Sequence, residues 1–213
     1  MIKTFYFNDL RTGCHILCDD SGKCAITDPG CHTETEIKRL FKFVEENSLT
    51  PEMILLTHGH FDHMIGCGAV TKKWDIPIYM NTVDVSQINR APSTCAFFGY
   101  TFDSPASEPV NVGDGEIISF GNTSLVVRYT PGHSKGSVIY YNEKENYVLT
   151  GDSLFAGCIG RTDLPEGDYD ALMESLKNVI MVLPPDTDVH PGHGPSTTIA
   201  IEANTNPFLD PIR

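Results

Sequence analysis

Apolar positions along this chain recur with two periods, and the switches between them lay out the elements. Residues 2–7, 14–18 and 24–27 are short β-prone runs, separated by Arg11-Thr12-Gly13 and Asp19-Asp20-Ser21-Gly22, which predicts an antiparallel meander. Asp28-Pro29-Gly30 breaks that pattern. Ile37, Leu40, Phe41 and Val44 then fall at helical spacing, so an amphipathic helix is expected over 33–48 with Thr33 as its N-cap. Met53-Ile54-Leu55-Leu56 reads as a buried strand. A helix from Met64 to Trp74, a strand over Ile76–Met80 and a short helix over Val83–Asn89 follow. Between Ala91 and Pro109 the period is lost, and proline, serine and aromatics mix. Such a stretch is either a lid over a site or a surface loop with its own apolar cluster.

Beyond residue 110 the period of two returns. Ile117–Phe120, Ser124–Thr130, Ser137–Tyr141 and Tyr147–Thr150 read as strands. Leu172, Met173, Leu176, Val179, Ile180 and Leu183 form the clearest helical stripe, and Tyr169 at its start is expected in the core. Asp188–His190 is a brief strand and Thr197–Asn204 a last helix. Strands followed by helices in each half suggest two similar halves in a layered α/β body.

Composition narrows the function classes. The chain has 213 residues, 40% hydrophobic and 20% charged, which suits one globular domain with a real core. Its net charge of −13 argues against nucleic acid and against an anionic membrane surface. No run approaches the roughly 20 apolar residues of a membrane span. Met1–Asn8 turns polar too quickly for a signal peptide. Seven scattered cysteines without a CxxC pair suggest reduced thiols in a cytoplasmic protein, with Cys67 and Cys158 as small buried filler.

The candidate chemistry gathers where predicted strands end. Thr57-His58-Gly59-His60-Phe61-Asp62-His63 leaves the Met53–Leu56 run and carries three of the eight histidines. In a loop all four metal-competent side chains can turn to one point, with Gly59 supplying backbone freedom. Pro131-Gly132-His133, Gly151-Asp152 and Pro191-Gly192-His193 each place one more such side chain just past a strand, beside glycine. Five imidazoles and two carboxylates are too many for one tetrahedral zinc and suit two ions sharing a carboxylate. No cysteine is among them, so an open, water-holding site is expected over a closed structural one. Asp28 either supports a metal loop or merely shapes its own turn, and His190 either orients a ligand or is structural. His15 and His32 read as surface or packing residues.

In its order and spacing, His58-Gly59-His60-Phe61-Asp62-His63 with His133, Asp152 and His193 resembles the HxHxDH pattern of the metallo-β-lactamase superfamily. The resemblance implies a four-layer αββα sandwich of that fold over residues 1–213. It implies that His58, His60 and His133 hold one metal, that Asp62, His63 and His193 hold a second, and that Asp152 bridges them. Zinc is the expected ion, with iron or manganese as alternatives. Gly151–Phe155 and Gly157–Asp163 resemble glyoxalase II-type hydrolases and persulfide dioxygenases. Thr197–Ile199 and Glu202–Phe208 resemble the short bacterial glyoxalase II-like hydrolases, which lack the helical domain that helps hold glutathione.

That likeness implies hydrolysis of a small thioester such as S-lactoylglutathione. Zinc can lower the pKa of water from 15.7 to about 7, and Asp62 and Asp152 can orient the attacking water. Arg161 stands where the family binds a substrate carboxylate, or else forms a surface ion pair. A mononuclear iron persulfide dioxygenase would use His58, His133 and Asp152. A lactonase or β-lactamase, and a metal-binding protein without catalysis, are the other readings. Partners other than the substrate are expected only as further copies of the chain, in a monomer or small homo-oligomer.

Overall fold

The structure is a computed structural model that describes residues 1–105 and 107–212. In the first half, β1 (Ile2–Phe7), β2 (Thr12–Cys18) and β3 (Lys23–Thr27) form the expected meander. After α1 (Glu34–Glu46), β4 (Thr50–Leu55) joins β3 in parallel. A single helical turn α2 (Phe61–Met64) and α3 (Cys67–Trp74) lead to β5 (Ile78–Met80). The long helix α4 (Val85–Phe97) precedes the short edge strand β6 (Val110–Asn111). Strands β1 to β6 lie side by side in chain order.

The second half builds another six-stranded sheet from β7 (Ile117–Phe120), β8 (Thr123–Tyr129), β9 (Val138–Asn142), β10 (Tyr147–Gly151), β13 (Asp188–Pro191) and β14 (Thr197–Thr198). A small hairpin of β11 (Leu154–Phe155) and β12 (Cys158–Ile159) and the helices α5 (Tyr169–Ser175) and α6 (Ile199–Thr205) complete it.

Alternation along the strands explains the layers. Leu17, Ala25, Met53 and Leu55 point inward and pack on Leu125, Val127, Tyr140 and Leu149 of the second sheet. Their neighbours Ile16, Cys24 and Ile54 point outward, onto Leu40, Val44 and Val70 of α1 and α3. Likewise Ile139, Val148 and Val189 turn outward onto Leu172, Leu176 and Ile199. Both faces of each central strand are therefore covered, which is why those strands read as continuous apolar runs. The result is helices, sheet, sheet, helices, the expected αββα order.

Local chemistry fixes the helix ends. Thr33 Oγ1 accepts from Glu36 N (3.2 Å) while Glu36 accepts from Thr33 N (3.1 Å), a reciprocal cap on α1. The helix expected over Met64–Trp74 is split instead. Gly66 N donates to Pro29 O at 2.8 Å, and a Cβ at Gly66 would lie 2.5 Å from that oxygen, so the chain bends there to pack on the Asp28–Gly30 turn. The strand over Ile76–Met80 shortens to β5.

The segment 91–109 also differs from expectation, apart from position 106, which lies outside the described residues. Its first seven residues continue α4 through Pro92. Ala91 and Cys95 anchor the helix inward, whereas Phe97 is 84% exposed. The aromatic positions therefore never form the buried stripe that periodicity detects. Tyr169 is exposed rather than core, because α5 buries Leu172 and Met173 on the other side. Six of the seven cysteines are buried, and Cys158 is half-buried. Among the described residues no helix is long and apolar enough to cross a membrane.

Candidate metal centre

Strand direction decides where the candidate residues meet. Strands β3, β4 and β5 run parallel, so Asp28, Thr57-His58 and Asp84 all follow strand ends on one edge of the first sheet. In the second sheet β8 and β10 are each antiparallel to β9, and β13 is parallel to β10. All three thus point the same way, and His133, Asp152 and His193 follow their ends. Carboxyl ends of parallel strands are where open α/β sheets present ligands. The edges meet where Gly13 N donates to Gly192 O at 2.7 Å.

All seven sequence-predicted donors converge there. One nitrogen or oxygen from each of His58, His60 and His133 lies within 4.8 Å of the others. The same holds for His58, His63 and Asp152, and for Asp62, His63 and His193. Shared members make this one continuous cluster. Asp152 stands between its ends: Oδ2 is 3.4 Å from His133 Nε2 and 3.5 Å from His193 Nε2, and Oδ1 is 3.4 Å from His63 Nε2. Only glycine fits beneath it, since a Cβ at Gly192 would fall 2.2 Å from Asp152 Oδ1. The single loop expected to carry all four donors ends at His60. His60 caps α2, whose single turn carries Asp62 and His63.

Partners on the outer side set which nitrogen each ring offers. His133 Nδ1 faces Arg161 O at 2.9 Å, and His193 Nδ1 faces Leu10 O at 3.0 Å. A carbonyl only accepts, so each Nδ1 carries the proton and each Nε2 is bare. Asp28 Oδ2 lies 3.1 Å from His63 Nδ1, a carboxylate that favours a proton on that side of the ring. Thr57 Oγ1 donates to Asp28 Oδ2 at 2.7 Å, so it can only accept from His58 Nδ1, 3.1 Å away. His58 Nε2 is thereby left bare, buried and without a hydrogen-bond partner. His60 is turned the other way, with Nδ1 2.8 Å from His133 Nε2.

Burial, then the neighbouring imidazoles, push His58 well below an ordinary histidine. Burial and then His133 bring His60 down to about 4. Burial would raise the Asp62 and Asp152 carboxyls, but His63 and His193, helped by the hydrogen bond from Thr12 at Asp62 and by His133 at Asp152, together outweigh it and hold both below the ordinary aspartate value. Burial likewise disfavours charge on His63, yet Asp62, Asp152 and Asp28 together raise it. Imidazoles kept neutral at His58 and His60, ionised carboxylates, and a preference for positive charge beside His63 are together the donor set a divalent cation requires. The absence of thiolates suits zinc, iron or manganese.

Several supporting residues carried no signal in the sequence. Asp84 is fully buried and accepts from Gly59 N (3.0 Å), Ser134 Oγ (2.6 Å) and Gly136 N (2.6 Å), tying the His58–His63 loop to the His133 loop. Its place just past β5 is the one clue that could have found it. Thr12 Oγ1 donates to Asp62 Oδ2 at 2.7 Å, and Asn8 Nδ2 to Asp62 O at 3.2 Å, from a loop that reads only as a turn. His190 meets Ser196 Oγ at 3.0 Å and the His15 ring at 5.7 Å, so it is structural. His15 is a buried packing residue, and His32 meets the Tyr100 ring edge-on, centroids 4.6 Å apart.

A cavity of about 630 Å³ opens from the cluster. Gln87, Arg90 and Thr94 of α4, with Phe98 just beyond it, line one side at helical spacing. Arg161 and Leu164–Glu166 line the other. Glu166 bridges the two, accepting from Gln87 Nε2 at 2.9 Å and pairing with Arg90. Arg161 is held by Asp163 at 2.7 and 2.8 Å, the surface ion pair that was one of its two expected roles. The Phe155–Ile159 hairpin is anchored from behind by Glu202, which is buried and accepts from Gly157 N (2.8 Å) and Thr197 Oγ1 (2.7 Å).

Residues 11–196 match the metallo-β-lactamase superfamily model, and with this fold and centre the chain belongs to that superfamily. It is 37% identical over 203 residues to the probable metallo-hydrolase YqgX of Bacillus subtilis, covering 94% of this chain and 93% of that protein. It is 33% identical over 202 residues to the hydroxyacylglutathione hydrolase GloC of Haemophilus influenzae, with the same two coverages, 94% and 93%. Among solved structures it superposes on BLEG-1 B3 metallo-β-lactamase with a TM-score of 0.90 and 36% identity, covering 99% of this chain and 100% of that one. For TTHA1623 in a di-iron-bound form the values are 0.87 and 35%, over 97% and 100%.

Proposed function

We propose that this metallo-hydrolase cleaves a small thioester at a centre holding two divalent cations. The carrying observation is the set of bare imidazole nitrogens, the buried His58 Nε2 above all, aimed at one point beside two ionised carboxylates. His58, His60 and His133 would hold one ion, Asp62, His63 and His193 the other, with Asp152 shared. Such ions acidify water and polarise a carbonyl. The chain's own groups do the rest. Asp62 and Asp152 stay ionised and accept hydrogen bonds from the attacking water, fixing its orientation. The water oxygen bonds to the acyl carbon, the carbon–sulfur bond breaks, and sulfur leaves with the electron pair. The products are a carboxylate, a thiol and one proton. A thiolate leaves readily at neutral pH, so no strong general acid is needed.

Arg161 lines the cavity and is assigned the anionic end of the thiol carrier. Asp163 occupies its Nε and Nη2, so a carrier carboxylate would use Nη1 or displace Asp163. The likeness to a hydroxyacylglutathione hydrolase supports the thioester reading. An iron dioxygenase built on His58, His133 and Asp152 would give no role to Asp62, His63 and His193, which lie within 4.8 Å of one another. The H58A/H60A double variant should lose metal and cleavage of glutathione thioesters together. Retained cleavage without metal overturns the mechanism. Oxygen uptake on a glutathione persulfide, with no thioester cleavage, would favour the dioxygenase.

A further inference from the structure

We infer that the acyl group of the substrate is hydrophobic, an aromatic or branched aliphatic acid rather than a short hydroxylated one. The inference rests on the thioester reading above and concerns what flanks the reacting carbon. Phe61 sits between His60 and Asp62 in the chain and stacks on Phe98, ring centroids 5.2 Å apart. On the other side the Phe155 ring lies 6.1 Å from that of His193. Ile159, Leu164 and Pro165 continue the wall. A substituent on a carbon held at the cluster therefore meets rings and aliphatic carbons.

The polar side chains of the same cavity outside the cluster each already hold a protein partner. Gln87 and Arg90 both go to Glu166. Thr94 Oγ1 donates to Arg90 O at 3.2 Å, and Arg161 is chelated by Asp163. A hydroxyl on the acyl group would meet only what these bonds leave over, such as the Arg161 Nη1 already assigned to the carrier, whereas an apolar group replaces water along the ring and aliphatic wall. The hairpin carrying Phe155 and Ile159 is held by Glu202 and by Asn206, whose Nδ2 donates to Cys158 O at 3.0 Å. The wall is thus set in place before a ligand arrives, which limits the ordering cost of binding.

The test is a series of glutathione thioesters that share one thiol and differ in the acyl group: lactoyl, acetyl, isovaleryl and phenylacetyl. With the metal-loaded protein, kcat/KM should rise about tenfold or more from acetyl to phenylacetyl, with lactoyl no better than acetyl. F98A and L164A should remove most of that gain, read as the ratio of phenylacetyl to acetyl kcat/KM falling about tenfold toward one. A flat series, or a preference for lactoyl, overturns the inference. Binding is measured in parallel by calorimetry on the ketones in which methylene replaces the thioester sulfur. If no thioester is cleaved but the phenylacetyl ketone still binds about tenfold tighter, and F98A abolishes that difference, the hydrolase reading falls and the apolar acyl site stands. Equal affinities across the ketones overturn the acyl site.

Discussion

The metal cage and the cavity wall lie side by side and are held in opposite ways. In the cage four of the five rings also meet an oxygen on their outer side: Asp28 for His63, Thr57 for His58, Arg161 O for His133, Leu10 O for His193. In the wall, Phe98 is 53% exposed, and the polar contacts are surface pairs such as Arg161 with Asp163. The cage has one satisfactory arrangement, since any rotation strands a buried polar atom. The wall can trade one apolar side chain for another. Chemistry is therefore fixed by hydrogen bonding inside the sandwich, and selectivity by replaceable contacts at its rim.

Breaking the cage should have the largest effect. H133A should lower turnover by about 10³-fold, the equivalent of roughly 4 kcal/mol of lost transition-state stabilisation. Elemental analysis should show less bound metal, and the far-UV spectrum should not change. Full activity at full metal content would contradict the assignment. D84A strands three buried donors and should destabilise the fold by about 3 kcal/mol or more, read from urea unfolding. A loss below 1 kcal/mol would mean the two donor loops hold themselves.

Changes behind the cage should be milder. D28N keeps the shape but alters what Thr57 and His63 face, and should weaken metal binding about 10- to 100-fold in chelator competition. An unchanged affinity would remove Asp28 from the centre's support. His15, on β2 behind the His193 loop, gives a pH dependence. Burial first, then His190, brings it from its ordinary 6.5 down to about 3. Between these values the unfolded chain binds a proton that the folded chain excludes. Stability from this residue is thus intact above pH 6.5 and is lost as pH falls toward 3, with a slope of at most about 1.4 kcal/mol per pH unit. H15Q should flatten the acid limb of a stability–pH curve, and an unchanged limb would show that His15 is protonated in the folded state. At the rim, D163A should leave the unfolding midpoint unmoved, because exposed ion pairs contribute little. A clear fall in midpoint would place that pair among the structural contacts instead.

Residues close together in the chain announced themselves. His58, His60, Asp62 and His63 share one loop and its helical turn, so their spacing alone pointed to a shared centre. The continuous apolar runs of β3, β4 and β10 were equally plain, since strands covered on both faces must be apolar at nearly every position. The cap at Thr33 was legible for the same reason, as all its bonds lie within four residues. What the sequence could not decide depends on contacts across long separations. Asp84 acts on Gly59 and Gly136 from a helix start with no motif of its own. Gly66 bends the chain because Pro29 lies against it, which splits a helix that local periodicity makes continuous. The tautomers of His133 and His193 depend on carbonyls of Arg161 and Leu10, and a carbonyl belongs to every residue alike. Residue type thus determined which groups can bind a cation. Strand direction and packing decided that they face one another, and which nitrogen each one offers.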